Sequence, residues 1–208
     1  KRAILEFYLA WDLRALGITY RHFEEPLAAR SHADRAEAKL EALSERIPQD
    51  LLRSTYLEGL GVSSYKRGIA LLEDPDFDRE TAYNLAKAPL RQSLRIREAH
   101  FLYRPAKPRW SSYLAQSLHA CALVSNQEED FTLATERIRR ATNLAKNAFV
   151  LGKAADGKYD GNYLHPWMEY TALWVELLNR TGKHQEALSV LEETHRIAED
   201  SYTIVEWA

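Results

Sequence analysis

Residues 168–200, MEYTALWVELLNRTGKHQEALSVLEETHRIAED, divide at Thr181-Gly182-Lys183-His184 into two amphipathic halves. The first half places Leu173, Val175, Leu177 and Leu178 among polar residues. The second places Ala187, Leu188, Val190, Leu191 and Ile197 at spacings of three and four, the period of a helix with one apolar face. Gly182 suits a helix C-terminus because a left-handed backbone costs it no Cβ clash, and so short a connection makes the two helices antiparallel neighbours. A single hairpin of this kind cannot bury both stripes, so the sequence calls for further copies stacked against it.

The rest of the chain has the composition to supply them. It holds 208 residues, 46% hydrophobic and 11% aromatic, with only 8 Gly and 7 Pro. Ala, Leu, Glu and Arg are frequent and strand periodicity is hard to find, which points to an all-α protein. Lys plus Arg number 28 against 30 acidic residues, so net charge gives no global attraction to nucleic acid or to an anionic membrane. No apolar run of about 18 residues occurs, which excludes a membrane-spanning helix within the chain. The lone Cys121 sits among Leu118, Ala122 and Leu123 in a helical pattern and reads as a small buried residue; its count fits a reducing, cytoplasmic compartment. The chain starts inside an amphipathic pattern, has one methionine and stops at Trp207-Ala208, which reads as a domain cut from a longer protein.

Helical patterns follow one another from the N-terminus. Residues 3–16 carry Ile4, Leu5, Tyr8, Leu9, Trp11 and Leu16 on one side. A second helix covers about 20–46, with Pro26 in its first turns or dividing it, and a third runs from Leu51 to Leu72 with Gly59, Gly61 and Gly68 available for close packing. Asp78 is placed to cap a fourth, 79–102, in which Pro89 predicts a kink or a split. The connector Arg104-Pro105-Ala106-Lys107-Pro108 leads to a fifth helix, capped at Ser111 or Ser112 and ending near Asn126, and then a sixth from about 130 to 151. Residues 152–165 form the longest loop, and Pro166 fits the first turn of the seventh helix.

Three second helices align without gaps: Tyr83, Ala86, Leu90, Ser93, Ile96; Phe131, Ala134, Ile138, Ala141, Leu144; His184, Ala187, Leu191, Thr194, Ile197. The alanines at 86 and 134 are 48 residues apart and those at 134 and 187 are 53 apart, the difference falling in connectors, where stacked repeats tolerate insertion. This pattern resembles the tetratricopeptide repeat family, as does the turn Gly182-Lys183-His184-Gln185-Glu186-Ala187-Leu188. Ala122 and Val175 fall where that family prefers Gly or Ala, and Val175 departs from it. The segment from Ser93 to Pro108 is similar, more loosely, to the longer repeats of kinesin light chain. The resemblance implies antiparallel hairpins stacked as a right-handed solenoid over residues 51–208, with second helices near 79–102, 130–151 and 183–200. Residues 1–50 form an N-terminal helical pair, a cap or a divergent repeat.

The resemblance also implies a concave groove lined by first helices that binds a peptide or a partner protein. By position its residues are Gln116, His119, Leu123, Asn126 and Gln127 on the fifth helix, and Glu169, Ala172, Glu176, Asn179 and Arg180 on the seventh. Asn126 and Asn179 match each other, and an amide side chain can both donate to and accept from a peptide bond. Trp110 and Trp167 each follow a proline closely and are expected at equivalent places in adjacent repeats.

Other motifs read as ordinary structure. Lys87, Arg91 and Arg95 recur every four residues and could track phosphates, yet no aromatic residues are interleaved with them and a solvated outer face explains them. The seven histidines include no His-Glu-x-x-His and no pair three or four apart, so no metal is expected. In Asp156-Gly157-Lys158-Tyr159-Asp160-Gly161-Asn162 a lysine stands where a calcium loop needs a ligand, and Trp167 stands where it needs the closing carboxylate. Gly-Lys pairs at 152–153, 157–158 and 182–183 lack the remainder of a phosphate loop, so no cofactor is expected. No constellation favours an enzyme. The sequence points to a non-catalytic protein-interaction scaffold, with a helical sensor binding a small molecule or nucleic acid and controlling an attached enzyme as the alternative.

Overall fold

The computed structural model describes Leu9, Leu13 and residues 26–46, 51–103, 108–152 and 161–202. Every regular element among them is an α-helix: α1 (Pro26–Arg46), α2 (Leu51–Leu72), α3 (Arg79–Tyr103), α4 (Pro108–Gln127), α5 (Phe131–Leu151), α6 (Gly161–Arg180) and α7 (His184–Tyr202). The helix expected over 3–16 lies outside the described residues, apart from exposed Leu9 and buried Leu13. The start expected for the second helix, before Pro26, also lies outside them. The chain divides into two compact units, residues 1–102 and 103–208.

In the first unit α1 packs against α2, burying Ala33, Ala36 and Leu40. Arg67 of α2 pairs with Asp34 of α1 at 2.7 Å. Arg30 reaches the connector after α2, where its Nη1 donates to Asp74 Oδ2 at 3.2 Å and its guanidinium lies 4.9 Å from the centre of the Phe77 ring. The Asp74 carboxylate is fully covered and also accepts from the Asp76 backbone N–H, so this connector is fixed from within. Asp78 caps α3 as expected, accepting from the Thr81 N–H at 3.0 Å and the Thr81 hydroxyl at 2.7 Å. These bonds to the charged form hold its carboxyl below the usual aspartate range.

The α2–α3 contact depends on two glycines. A Cβ on Gly68 would lie 2.4 Å from Leu90 Cδ2 and Cγ, and one on Gly61 would lie 2.9 Å from Ile96 Cγ2. The Ser93 hydroxyl donates to the Gly61 carbonyl at 2.7 Å in the same buried seam. Contrary to the split that Pro89 suggested, α3 runs unbroken through it. Proline there removes the hydrogen bond to the Leu85 carbonyl; Leu85 is 44% exposed, while Ala86, Leu90 and Ser93, fully buried on the packed face, hold the helix through that turn.

The second unit is built of two hairpins, α4–α5 and α6–α7, with α5 packed on α6 and α4 touching α6. Phe149 and Trp167, both buried, stack at 5.5 Å and 21° between α5 and α6. Arg137 of α5 donates to the Cys121 carbonyl at 3.1 Å and the Ser125 hydroxyl at 2.5 Å of α4. α6 begins at Gly161, before the loop expected to reach 165, so Pro166 lies inside the helix rather than in its first turn. The register that pairs Ala122 with Val175 pairs Trp167 with Leu114, one turn away from Trp110, so the two tryptophans are not equivalent. Both positions 114 and 167 are buried, which shows the same site filled by different volumes.

Both hairpins close by the same turn. After α4, Asp130 N–H donates to Ser125 O and Glu129 N–H to Asn126 O; after α6, Lys183 N–H donates to Leu178 O and Gly182 N–H to Asn179 O. This paired pattern needs a left-handed residue at its centre, supplied by Gly182 at φ 76° and by Glu129 at φ 61°. Asp130 then caps α5 by accepting from Leu133 N–H.

Two stability outcomes follow. Gly68→Val should lower the stability of the folded chain by about 1–3 kcal/mol in urea titration, because Leu90 has no exposed direction in which to retreat. Glu129→Gly should raise stability by roughly 0.5–1 kcal/mol, since glycine adopts the left-handed conformation without a Cβ penalty; no gain in the urea midpoint would contradict the strain assigned to Glu129.

Candidate functional site

The first helices of the second unit, α4 and α6, are neighbours, and His119 and Asn126 of α4 meet Glu169 and Arg180 of α6 between them. At one level the His119 ring stacks on Tyr170, with centroids 4.4 Å apart and planes at 29°, and its Nε2 lies 3.9 Å from Glu169 Oε1. About two turns along α4, Asn126 Oδ1 accepts from Arg180 Nη1 at 3.5 Å, while Arg180 Nη2 pairs with Glu176 Oε1 at 2.6 Å. Leu123 and Leu173 are half-buried on the same two helices, while Ala172 is exposed. Gln116 and Gln127 are half-buried along α4. The arrangement offers amides that donate and accept, two exposed carboxylates, one guanidinium and a short apolar floor.

Not every expected residue joins it. The Asn179 side chain binds His184 Nδ1 at 3.0 Å, across its own turn, so it braces the start of α7 rather than matching Asn126. His119 is engaged as a packing group, its side chain only 12% exposed. Sequence reasoning missed Leu173, which the spacing of apolar residues assigned to the core alone, and missed Arg137, whose charge concealed that it binds the backbone of the preceding helix. The basic residues Lys87, Arg91 and Arg95 lie on α3 in the other unit. Lys87 is half-buried and donates to Asn84 Oδ1 at 2.8 Å; Arg91 and Arg95 are exposed.

No family model and no curated protein matches the chain. Among solved structures, it is similar to the DHF58 filament chain, with a TM-score of 0.50 at 15% identity over 99% of this chain and 96% of that one. The de novo designed helical repeat protein DHR64 matches with a TM-score of 0.44 at 16% identity over 99% and 94%. The fold is an all-α helical-repeat fold.

Among the described residues no cluster of three or more His, Cys, Asp or Glu is placed to hold a metal, and no helix is long and apolar enough to cross a membrane. The Cys121 thiol is buried. The calcium-like segment 156–160 lies outside the described residues, while Gly161 and Asn162 open α6.

Burial against Tyr170 lowers the pKa of His119 from 6.5 to about 4, because the charged imidazole loses its hydration. The unfolded chain therefore binds this proton first. Stability from the neutral ring is complete above pH 6.5 and is lost as pH falls toward 4. Denaturant titration should show the wild type losing about 2 kcal/mol more between pH 7.5 and pH 5 than His119→Phe, which keeps the stack without the titrating group. Equal losses in the two proteins would contradict a buried neutral imidazole.

Proposed function

We propose that this chain is a non-catalytic cytoplasmic interaction scaffold whose tetratricopeptide-like hairpins stack as a right-handed solenoid and bind a peptide or partner protein along the α4–α6 face. The observation that carries this reading is the placement of Asn126 of α4 beside Arg180 of α6, itself paired with Glu176, with Leu123 and Leu173 half-buried on the same two helices. An extended peptide satisfies its backbone groups on such amides and charges, and seats an apolar side chain on the leucines. The alternative, a sensor of phosphate-bearing small molecules or nucleic acid, draws on exposed Arg91 and Arg95 beside Lys87.

One experiment separates the two. In affinity capture from the native cell, the triple variant Leu123→Asp, Asn126→Ala, Arg180→Ala should lose bound protein by about tenfold, a difference of roughly 1.4 kcal/mol, whereas Lys87→Ala, Arg91→Ala, Arg95→Ala should retain it. The reverse result, with binding dependent on the basic residues and sensitive to salt, would move the function to α3.

A further inference from the structure

The last hairpin breaks the burial pattern of the others. Leu90 of α3 and Ile138 of α5 are fully buried, but Leu191, their counterpart on α7, is 47% exposed. Leu188 is 49% exposed one turn before it, and His195 follows four residues later, so the three form one row on a single helix face. The adjoining side of α7 is already used, with Ala187 and Val190 clustered on Leu178, and beyond them Glu193 is paired to Lys146 of α5 at 2.6 Å.

Beside the row lie Glu192, four residues after Leu188, and Glu199, four after His195, both exposed. Glu199 holds His195 Nε2 at 3.1 Å. The row therefore has an acidic border. A second copy packed antiparallel by two-fold symmetry would bring this border against its own image and meet like charge.

We propose that the outer face of α7 docks an amphipathic helix of a partner protein, one whose leucine-sized residues recur every three or four positions and are flanked by lysine or arginine. The apolar stripe of that helix covers Leu188 and Leu191, and its cations meet Glu192 and Glu199. This surface is separate from the α4–α6 face, so it stands or falls independently of the peptide-binding reading.

The test is fluorescence anisotropy of the full 208-residue chain with a labelled amphipathic peptide of about 18 residues carrying lysine flanks, beside the same peptide with glutamate flanks. The lysine peptide should bind at least about tenfold more tightly. Leu188→Ser with Leu191→Ser should weaken it by about the same factor, Glu192→Lys with Glu199→Lys should reverse the preference, and Asn126→Ala with Arg180→Ala should leave it unchanged. Circular dichroism verifies that each variant remains helical. Equal binding of both peptides, or indifference to the leucine changes, overturns the proposal. So does sedimentation showing a dimer that Leu191→Ser dissociates, which gives the face to a second copy. Peptide binding that appears only in Trp207→Ser also overturns it, since the chain's own C-terminal residues would then hold the face.

Discussion

Two antiparallel helices joined by a short connection can approach closely only where one of them contributes little volume at the crossing. In the first unit Gly61 and Gly68 make that space, and Ile96 and Leu90 fill it. In the second unit small residues are buried on both partners of the α4–α5 contact, Ala120, Cys121 and Ala122 on α4 and Ala134, Ala141 and Ala148 on α5. The close approach also explains where polar side chains are tolerated. The Ser93 hydroxyl and the Arg137 guanidinium can reach backbone carbonyls of a neighbouring helix only because that backbone is near.

The turns convert this packing into a repeat. The paired hydrogen bonds after α4 and α6 are the same, atom for atom, and each requires a left-handed residue. One hairpin meets the requirement with glycine and the other with glutamate, which places the strain at Glu129 and makes the α6–α7 turn the less constrained of the two. The first unit solves the same problem differently. Its connector is longer, and its direction is set by buried Asp74 and by the Arg30 side chain from α1.

Most of the fold was legible in the sequence because helix periodicity, Asp78 and Gly182 are local signals that tertiary packing did not override. The alanine and leucine register was legible for the same reason, and Ala86, Ala134 and Ala187 are all buried. What failed depended on three-dimensional context. Continuity through Pro89 depends on the neighbours that bury its flanks, which spacing does not reveal. The match of Trp167 with Leu114 defeats any comparison by residue type, because two very different volumes fill one place. At the candidate site, the side-chain commitments were not legible: Asn179 is drawn to His184 by its own turn, and His119 is drawn into the stack with Tyr170.

Stacked repeats bury an apolar face only by having a neighbour, so identical residues acquire different roles along the array. Leu90 and Ile138 are core residues, whereas Leu191 in the same register is half in solvent. The sequence pattern cannot distinguish them, since the periodicity that builds the second helix of a hairpin is the same whether or not another helix lies against it. The face of α7 and the face of α4–α6 differ on this physical ground. The latter is polar with its side chains paired to one another across two helices, and the former is apolar with an acidic border.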